Sequence, residues 1–158
     1  MAKVARKQTA AAPAPNDEVL RQFYGYSLKH SYLLIRDDMI QTIEPLGLRV
    51  ATFSALAIIN AHPDITQTQL AQALRIERSG VVVLVDELEN ADLIGRNRVP
   101  GDRRSYALRA TLAGQKLWKK AVATVHEHER VMLSALTEDE QKTLKDLLWR
   151  IGATEQSD

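Results

Sequence analysis

The feature that most constrains this chain is an arginine-rich segment that has the pattern of a β-hairpin. An apolar stretch begins at Leu93, a Pro-Gly-Asp turn follows at residues 100–102, and a second strand-like stretch runs to Ala110. Adjacent proline and glycine favour a turn between two strands. Five arginines and one aspartate give residues 95–110 a charge of +4, and they are Arg96, Arg98, Arg103, Arg104, Arg109 and Asp102. A cationic hairpin can enter a groove lined by phosphates, so the sequence predicts a DNA-binding wing.

The composition indicates a small domain and excludes several kinds of site. The chain has 158 residues, enough for one domain with a sizeable core, and its net charge of +1 means that any binding of a polyanion depends on local clusters. The absence of cysteine excludes disulfides, thiolate metal sites and thiol redox sensing. The chain has neither the apolar run of a signal peptide nor one that could span a bilayer. We therefore expect a soluble, cytoplasmic protein with no membrane partner.

Before the hairpin, apolar residues keep the spacing of α-helices. The pattern predicts one helix from residue 17 to about residue 43, ended by a Glu-Pro-Leu-Gly break. A second predicted helix covers residues 49–61 and is closed by Pro63. Thr66–Gln69 has the form of a capping box and predicts a short helix that ends at Leu74.

A brief turn then leads to another predicted helix over residues 78–90, directly before the hairpin. After the hairpin, a long helix is predicted from Thr111 to about Ser134. A second capping box, Thr137–Glu140, begins a last amphipathic helix. Two short helices joined by a tight turn and followed by a two-stranded hairpin form a winged helix-turn-helix.

The predicted fold is mainly α with a small β-hairpin wing, in which N- and C-terminal dimerisation helices flank the winged helix-turn-helix. The flanking helices are too apolar for one small domain, so we expect them to pair with a second copy of the chain. The alanine- and proline-rich tail is expected to be disordered, with a basic arm touching DNA phosphates as the alternative. The expected segments are a disordered tail at 1–16, an N-terminal dimerisation segment at 17–47, the DNA-binding lobe at 48–111, C-terminal dimerisation helices at 112–152 and a disordered tail at 153–158.

The stretch from Ile65 to Arg96, taken with the hairpin, resembles the MarR family of transcriptional regulators. In that family the wing carries the pattern D-x-R, then a Leu-Thr pair, then a glycine three residues after the threonine. Asp102, Arg104, Thr111 and Gly114 match this pattern, whereas Ala110 stands where the family has leucine. The resemblance covers roughly residues 18–152. It implies a homodimer that lays one recognition helix per subunit in a major groove and its wings in the flanking minor grooves.

The resemblance assigns the wing arginines to DNA. Arg104 matches the family's wing arginine, and a guanidinium fits a narrow, electronegative minor groove. Asp102 is expected to shape the turn or to orient an arginine. The other wing arginines that we expect to bind DNA are Arg96, Arg98 and Arg103. Two interpretations remain for Thr66 and Gln67, which either present helix amides to a phosphate or simply cap the helix.

The recognition helix departs from the usual residues of the family. Its exposed early positions are expected to be Arg78, Ser79, Gly80, Val82 and Val83. The glycine and the valines cannot form hydrogen bonds with bases, although valine can pack on thymine methyl groups and glycine allows close approach. We therefore expect modest direct readout, with Arg78 and Ser79 as the polar contacts. The alternative is that Val81, Val83 and Leu84 belong to the core, and we expect this at least for Val81 and Leu84.

MarR-like proteins usually release DNA when a small, often aromatic, molecule binds between the dimerisation helices and the winged lobe. Aromatic walls and a few cations suit a planar anion, either an aromatic carboxylate or an aryl-CoA thioester. The alternative is that the aromatic side chains of the first two predicted helices pack the core. Arg36 would then pair with a neighbouring aspartate or a partner chain. The residues that we assign to the effector are Tyr26, His30, Arg36, Arg49 and Phe53.

Other chemistry does not fit the sequence. His126 and His128 are two residues apart on a predicted helix and point to different faces, so they do not form a metal site. The chain also lacks a phosphate loop, a nucleophile elbow and a dinucleotide glycine motif, and we expect neither catalysis nor a cofactor. Two functions remain: a ligand-responsive repressor on a pseudo-palindromic operator, or a winged-helix module that binds other proteins. The wing arginines favour the repressor, because a scaffold has no need of them.

Overall fold

In the computed structural model, which describes residues 16–99 and 102–153, helices account for most of the chain and a small antiparallel sheet interrupts them. This confirms the predicted fold class. The helices and strands are α1 (Tyr24–Ile43), α2 (Val50–Ala61), β1 (Ile65–Thr66), α3 (Gln67–Leu74), α4 (Arg78–Asn90), β2 (Ile94–Val99), β3 (Asp102–Ala110), α5 (Leu112–Met132) and α6 (Glu138–Ala153). Short 3₁₀ turns at Glu18–Leu20 and Glu44–Leu46 precede and follow α1. Most of the predicted tails, namely residues 1–15 and 154–158, lie outside the described residues.

The chain divides into two compact units, residues 1–34 and residues 35–158. In the first, the helix predicted from residue 17 begins only at Tyr24. The reason is local: the Asp17 carboxylate caps no helix and instead accepts hydrogen bonds from the Tyr26 hydroxyl at 2.7 Å and from Arg21 Nε at 3.0 Å. These bonds lower the pKa of Asp17, and the bond to Asp17 raises the pKa of Tyr26.

In the second unit, the main core lies between α2, α3, α4 and the sheet. Leu56, Leu70, Val85 and Leu108 come from four different elements and are fully buried there. A smaller cluster packs the end of α1 against α5 and contains Ile43, Leu48 and Ala121. The amphipathic patterns of α3 and α4 thus place one face of the helix-turn-helix in the core and leave the other face to solvent.

The sheet has three strands in the order β1-β3-β2, all antiparallel. The two strands of the predicted hairpin pair in register from Ile94 opposite Ala110 to Val99 opposite Asp102. The Pro-Gly part of the predicted turn lies outside the described residues, as do the side chains of residues 98–105. The sequence did not predict β1, because two residues are too few to show an alternating pattern.

In the part of the chain that the structure describes, no single helix is both long enough and apolar enough to cross a membrane. Two adjoining stretches, Tyr24–Leu46 and Val50–Ala61, pass that test of length and composition only when taken together across a bend.

Candidate nucleic-acid interface

A capping box starts α3, as predicted. The Gln69 amide donates to the Thr66 hydroxyl at 3.3 Å, and the Thr66 amide donates to the Gln69 side chain at 2.9 Å. The capping alternative for Thr66 is therefore satisfied within the chain. The same geometry places Thr66 and Gln67 at the N-terminal end of α3, where helix amides favour an anion.

The turn between α3 and α4 brings two arginines to one groove. Arg75 ends α3 in the left-handed conformation, with φ of 53°, and the chain then turns directly into α4. Arg75 and Arg78 both line this groove, together with Thr68 and Gln72 of α3. Arg75 was not among the residues predicted to bind DNA, although its place three residues before the recognition helix is visible in the sequence.

The recognition helix α4 separates buried residues from exposed ones within its first two turns. Val81 and Leu84 are buried, with exposed fractions of 0% and 5%, as expected from the sequence. Val82 and Val83 are 41% and 54% exposed, so the core alternative does not hold for Val83. Arg78 and Ser79 are exposed on the same helix. The outer surface of α4 therefore begins with a cation and a hydroxyl and continues with two valines.

Arginines from two sides neutralise the carboxylates in the second half of α4. Arg96 of β2 contacts Asp86 and lies 3.0 Å, from Nε to Oε2, from Glu89. Arg49, which precedes α2, contacts Glu87. The Arg96 side chain is only 19% exposed, so its guanidinium is occupied by the protein itself. We infer that Arg96, which the sequence assigned to DNA, holds the wing strand against the recognition helix.

A further arginine of the wing is also occupied. Arg109 Nε donates to Asp64 Oδ1 at 2.6 Å, and the Asp64 amide donates to the Leu108 carbonyl at 2.9 Å. The guanidinium lowers the pKa of Asp64, and the carboxylate raises the pKa of Arg109. Among arginines whose side chains the structure describes, only Arg75 and Arg78 lack a carboxylate within ion-pair distance. These two guanidiniums are therefore the ones open to an external anion.

The threonine and glycine after the wing join β2 to α5. The Thr111 hydroxyl accepts the Gly114 amide at 3.0 Å and donates to the Asp92 carbonyl at 2.7 Å, and the Thr111 amide donates to the Leu93 carbonyl at 3.0 Å. A Cβ atom on Gly114 would lie 2.9 Å from the Leu93 carbonyl carbon and closer still to its oxygen. Glycine is thus required because α5 begins in direct contact with the backbone that enters the wing.

The chain is similar to known transcriptional regulators. Residues 46–105 match the sequence model of the MarR family. The regulator PecS of Dickeya dadantii is 31% identical over 128 residues, which are 79% of this chain and 77% of that protein. The chain belongs to the MarR family. It is therefore a winged-helix, DNA-binding transcriptional regulator and not an enzyme, which sets aside the protein-interaction module.

Two solved structures of MarR-family repressors resemble this chain. The transcriptional repressor CouR bound to a 23-mer DNA duplex has a TM-score of 0.84 and 32% identity, covering 89% of this chain and 99% of that one. CouR from Rhodococcus jostii RHA1 bound to p-coumaroyl-CoA has a TM-score of 0.74 and 25% identity, covering 84% of this chain and 93% of that one.

Within this MarR-family chain, the residues assigned to an effector fall in both units. In the first unit, the Tyr26 and His30 rings stack with centroids 6.4 Å apart. In the second, Arg36 donates to Asp37 at 2.8 Å, and the Phe53 ring lies 5.1 Å from that of Trp118. Arg49 borders a cleft of about 300 Å³ whose other lining residues are Gly47, Leu48, Thr52, Glu87, Leu88, Ala91 and Leu93.

The structure gives no support to a metal site. His126 lies 3.5 Å from Glu129 on its own helix, and His128 lies 3.5 Å from Asp38 of α1, in both cases from Nδ1 to a carboxylate oxygen. Among residues 16–99 and 102–153, no group of three or more histidine and acidic side chains could hold a metal ion.

Proposed function

We propose that this MarR-family regulator is a repressor, binds a pseudo-palindromic operator as a homodimer and is released by a small aromatic anion. The observation that carries the proposal is the division of the arginines. Those at the base of the wing and beside α2 pair with carboxylates, whereas Arg75 and Arg78, beside the recognition helix, do not. Two guanidiniums that have no carboxylate partner, at the start of a recognition helix, can bind the phosphates and bases of DNA.

The proposed DNA contacts come from three places. The wing supplies Arg98, Arg103 and Arg104, with Asp102 shaping its turn. The start of α3 supplies Thr66 and Gln67, and α4 supplies Arg78, Ser79, Gly80, Val82 and Val83. Arg96 supports these contacts from behind, through Asp86 and Glu89.

Exposed apolar side chains support the homodimer. On α6, Leu147 and Leu148 are 45% and 46% exposed, and Trp149 is 75% exposed. Apolar surface of this extent on a terminal helix is typical of an interface. Two recognition helices related by a dimer axis lie about one DNA turn apart, on the order of 10 base pairs. The operator is then two similar half-sites at that spacing.

Fluorescence anisotropy tests DNA binding directly. The purified protein is titrated into labelled duplexes from the region upstream of its own gene, at several salt concentrations. We expect one duplex to bind tightly, with an affinity that falls steeply with salt because bound phosphates release counterions. A footprint that covers a single half-site would argue against the dimeric arrangement. Binding no tighter than to unrelated duplex at every salt concentration would argue against an operator in this region.

The effector proposal rests on Arg49. The cleft beside Arg49 has a volume of about 300 Å³, which is at the small end of the range for ligand pockets. Its lining contains leucine side chains and the Arg49 guanidinium. A carboxylate or phosphate that takes Arg49 has to replace Glu87, which contacts it now. Because Glu87 belongs to the recognition helix, the anion and that helix compete for Arg49. The effector is proposed to be an aromatic carboxylate or an aryl-CoA thioester. The other residues that we propose for its recognition are Tyr26, His30, Arg36 and Phe53.

Substitution of Arg49 by glutamine or of Tyr26 by phenylalanine is expected to blunt the effector response at least several-fold. Operator binding should stay within a few-fold of the wild type for Tyr26→Phe, whereas Arg49→Gln should weaken it, because Glu87 of the recognition helix loses its contact with Arg49. The response is the loss of anisotropy of the operator complex on titration with p-coumarate and, separately, with p-coumaroyl-CoA. The two compounds share their aromatic part, so they distinguish a carboxylate from a CoA thioester as the effector. Arg150→Gln is the matched control, since Arg150 lies on α6 and is 72% exposed. Normal responses in both variants would show that the pocket is misplaced.

A further inference from the structure

We propose that Val82 and Val83 recognise thymine through its 5-methyl group, so that α4 selects its operator mainly by apolar contact. The proposal rests on the DNA-binding function argued above and deepens it, because it names the base feature that the recognition helix reads. Thymine's methyl group is the apolar feature that the major groove presents among the natural base pairs.

The first support is the exposure of the two valines. Val81 and Val85 of the same helix are fully buried, which shows that the core is complete without their neighbours. Val82 and Val83 turn 41% and 54% of their surface to solvent, and Ile76 in the preceding turn is 41% exposed. Adjacent exposed β-branched residues do not favour a helix, and a polar residue would serve as well if solvent were the only neighbour.

The second support is Gly80, which lies three residues before Val83 and so neighbours it on the helix. A Cβ atom added there would have its nearest contact at 3.7 Å, with Ile76 Cδ1, which is an ordinary van der Waals distance. The packing of the chain therefore does not require glycine at this position, although glycine is a poor residue inside a helix. A surface that approaches α4 closely from outside does require it, and the floor of the major groove is such a surface.

The third support is the distribution of charge, which commits the patch to DNA. Arg75 and Arg78 precede Val82 and Val83 and have no carboxylate partner, whereas Asp86 and Glu87 in the second half of α4 are neutralised by Arg96 and Arg49. The Glu77 carboxylate remains at the start of the helix. The two guanidiniums can reach the phosphate backbone on the rim of the groove while the valines face the bases.

The test removes methyl groups from the DNA and from the protein. An operator is first selected from a random duplex library by the full-length protein. It is then resynthesised with single thymines replaced by deoxyuridine, which lacks only the methyl group. We expect one or two positions in each half-site to lose about fourfold in affinity, since burial of one methyl group is worth about that factor. Replacing deoxyuridine at those positions by 5-methylcytosine, opposite guanine, tests whether the methyl group alone restores part of the affinity.

The protein variants identify which side chains read those methyl groups. With Val82→Ala or Val83→Ala, deoxyuridine at the sensitive positions should no longer weaken binding, because the methyl group has lost its partner. Val50→Ala is the matched control, since Val50 lies on α2 and is 39% exposed. It should keep the full deoxyuridine penalty. Gly80→Ala should bind the operator at least severalfold more weakly while melting at or above the wild-type temperature.

Three outcomes would overturn the proposal. The first is an operator in which no thymine is sensitive to deoxyuridine. The second is a deoxyuridine penalty that persists in both valine variants, which would assign the methyl contacts to other residues. The third is the failure of the library to yield any enriched duplex, and this alone would also overturn the DNA-binding function on which the proposal rests.

Discussion

Replacing Gly114 by alanine should lower the free energy of unfolding by about 3 kcal/mol or more, because overpacking against backbone cannot be relieved by turning a side chain. The added Cβ would lie 2.9 Å from the Leu93 carbonyl carbon and closer to its oxygen. Neither partner is free to move, since the Leu93 carbonyl accepts the Thr111 amide and the Thr111 hydroxyl accepts the Gly114 amide. Urea denaturation followed by circular dichroism measures the effect.

Gly152→Ala is the matched control for this prediction. Gly152 lies in α6, and a Cβ atom added there meets nothing within 4 Å. Alanine favours a helix over glycine by up to about 1 kcal/mol, so this variant should be as stable as the wild type or slightly more so. Equal urea midpoints for the Gly114 variant and the wild type would mean that α5 can shift away from Leu93 at no cost. The contact with Leu93 would then not explain why the wing pattern has glycine at position 114.

The features that were correctly predicted from the sequence are those set within a few residues. Both capping boxes are present: at the second, the Thr137 amide donates to Glu140 at 2.8 Å, a bond that lowers the pKa of Glu140. The helices α2 to α6 begin within a residue or two of their predicted starts for the same reason. The exception is α1, whose start is displaced to Tyr24 because Asp17 bonds to Tyr26 and Arg21, which the spacing of apolar residues does not show.

The charges of the wing show why a site is harder to predict than a fold. From the sequence, Arg96 was assigned to DNA and Arg109 was counted in the positive charge of the hairpin. In the folded chain, Arg96 contacts Asp86, 10 residues away, and Arg109 contacts Asp64, 45 residues away. Such pairs depend on how β2 and β3 pack against the rest of the lobe, which local patterns do not contain. Arg75 was not predicted for a related reason: the sequence does not show that the folded chain leaves it without a carboxylate partner.

Arg104 and Arg109 lie on the same strand, and they should respond oppositely to substitution. We expect Arg104→Ala to weaken operator binding by about 10- to 100-fold, in proportion to the roughly 1–3 kcal/mol that one well-placed arginine contributes in DNA recognition. Its position near the hairpin end of β3 suits insertion into a narrow minor groove. Arg109→Ala should change the affinity less than about threefold, because Asp64 already occupies that guanidinium at 2.6 Å and the pair is surface-exposed.

The salt dependence of operator affinity, measured by fluorescence anisotropy, distinguishes Arg104→Ala from Arg109→Ala further. A cation removed from the interface displaces fewer counterions from DNA, so Arg104→Ala should lower the slope of log affinity against log salt by up to about 1 per subunit and Arg109→Ala should not. Equal losses in both variants would indicate that the wing acts through its summed charge, without a specific position for Arg104. Unchanged affinity of Arg104→Ala at moderate salt would remove the wing from operator recognition. In that case Arg75, Arg78 and the valines of α4 would have to account for the specificity.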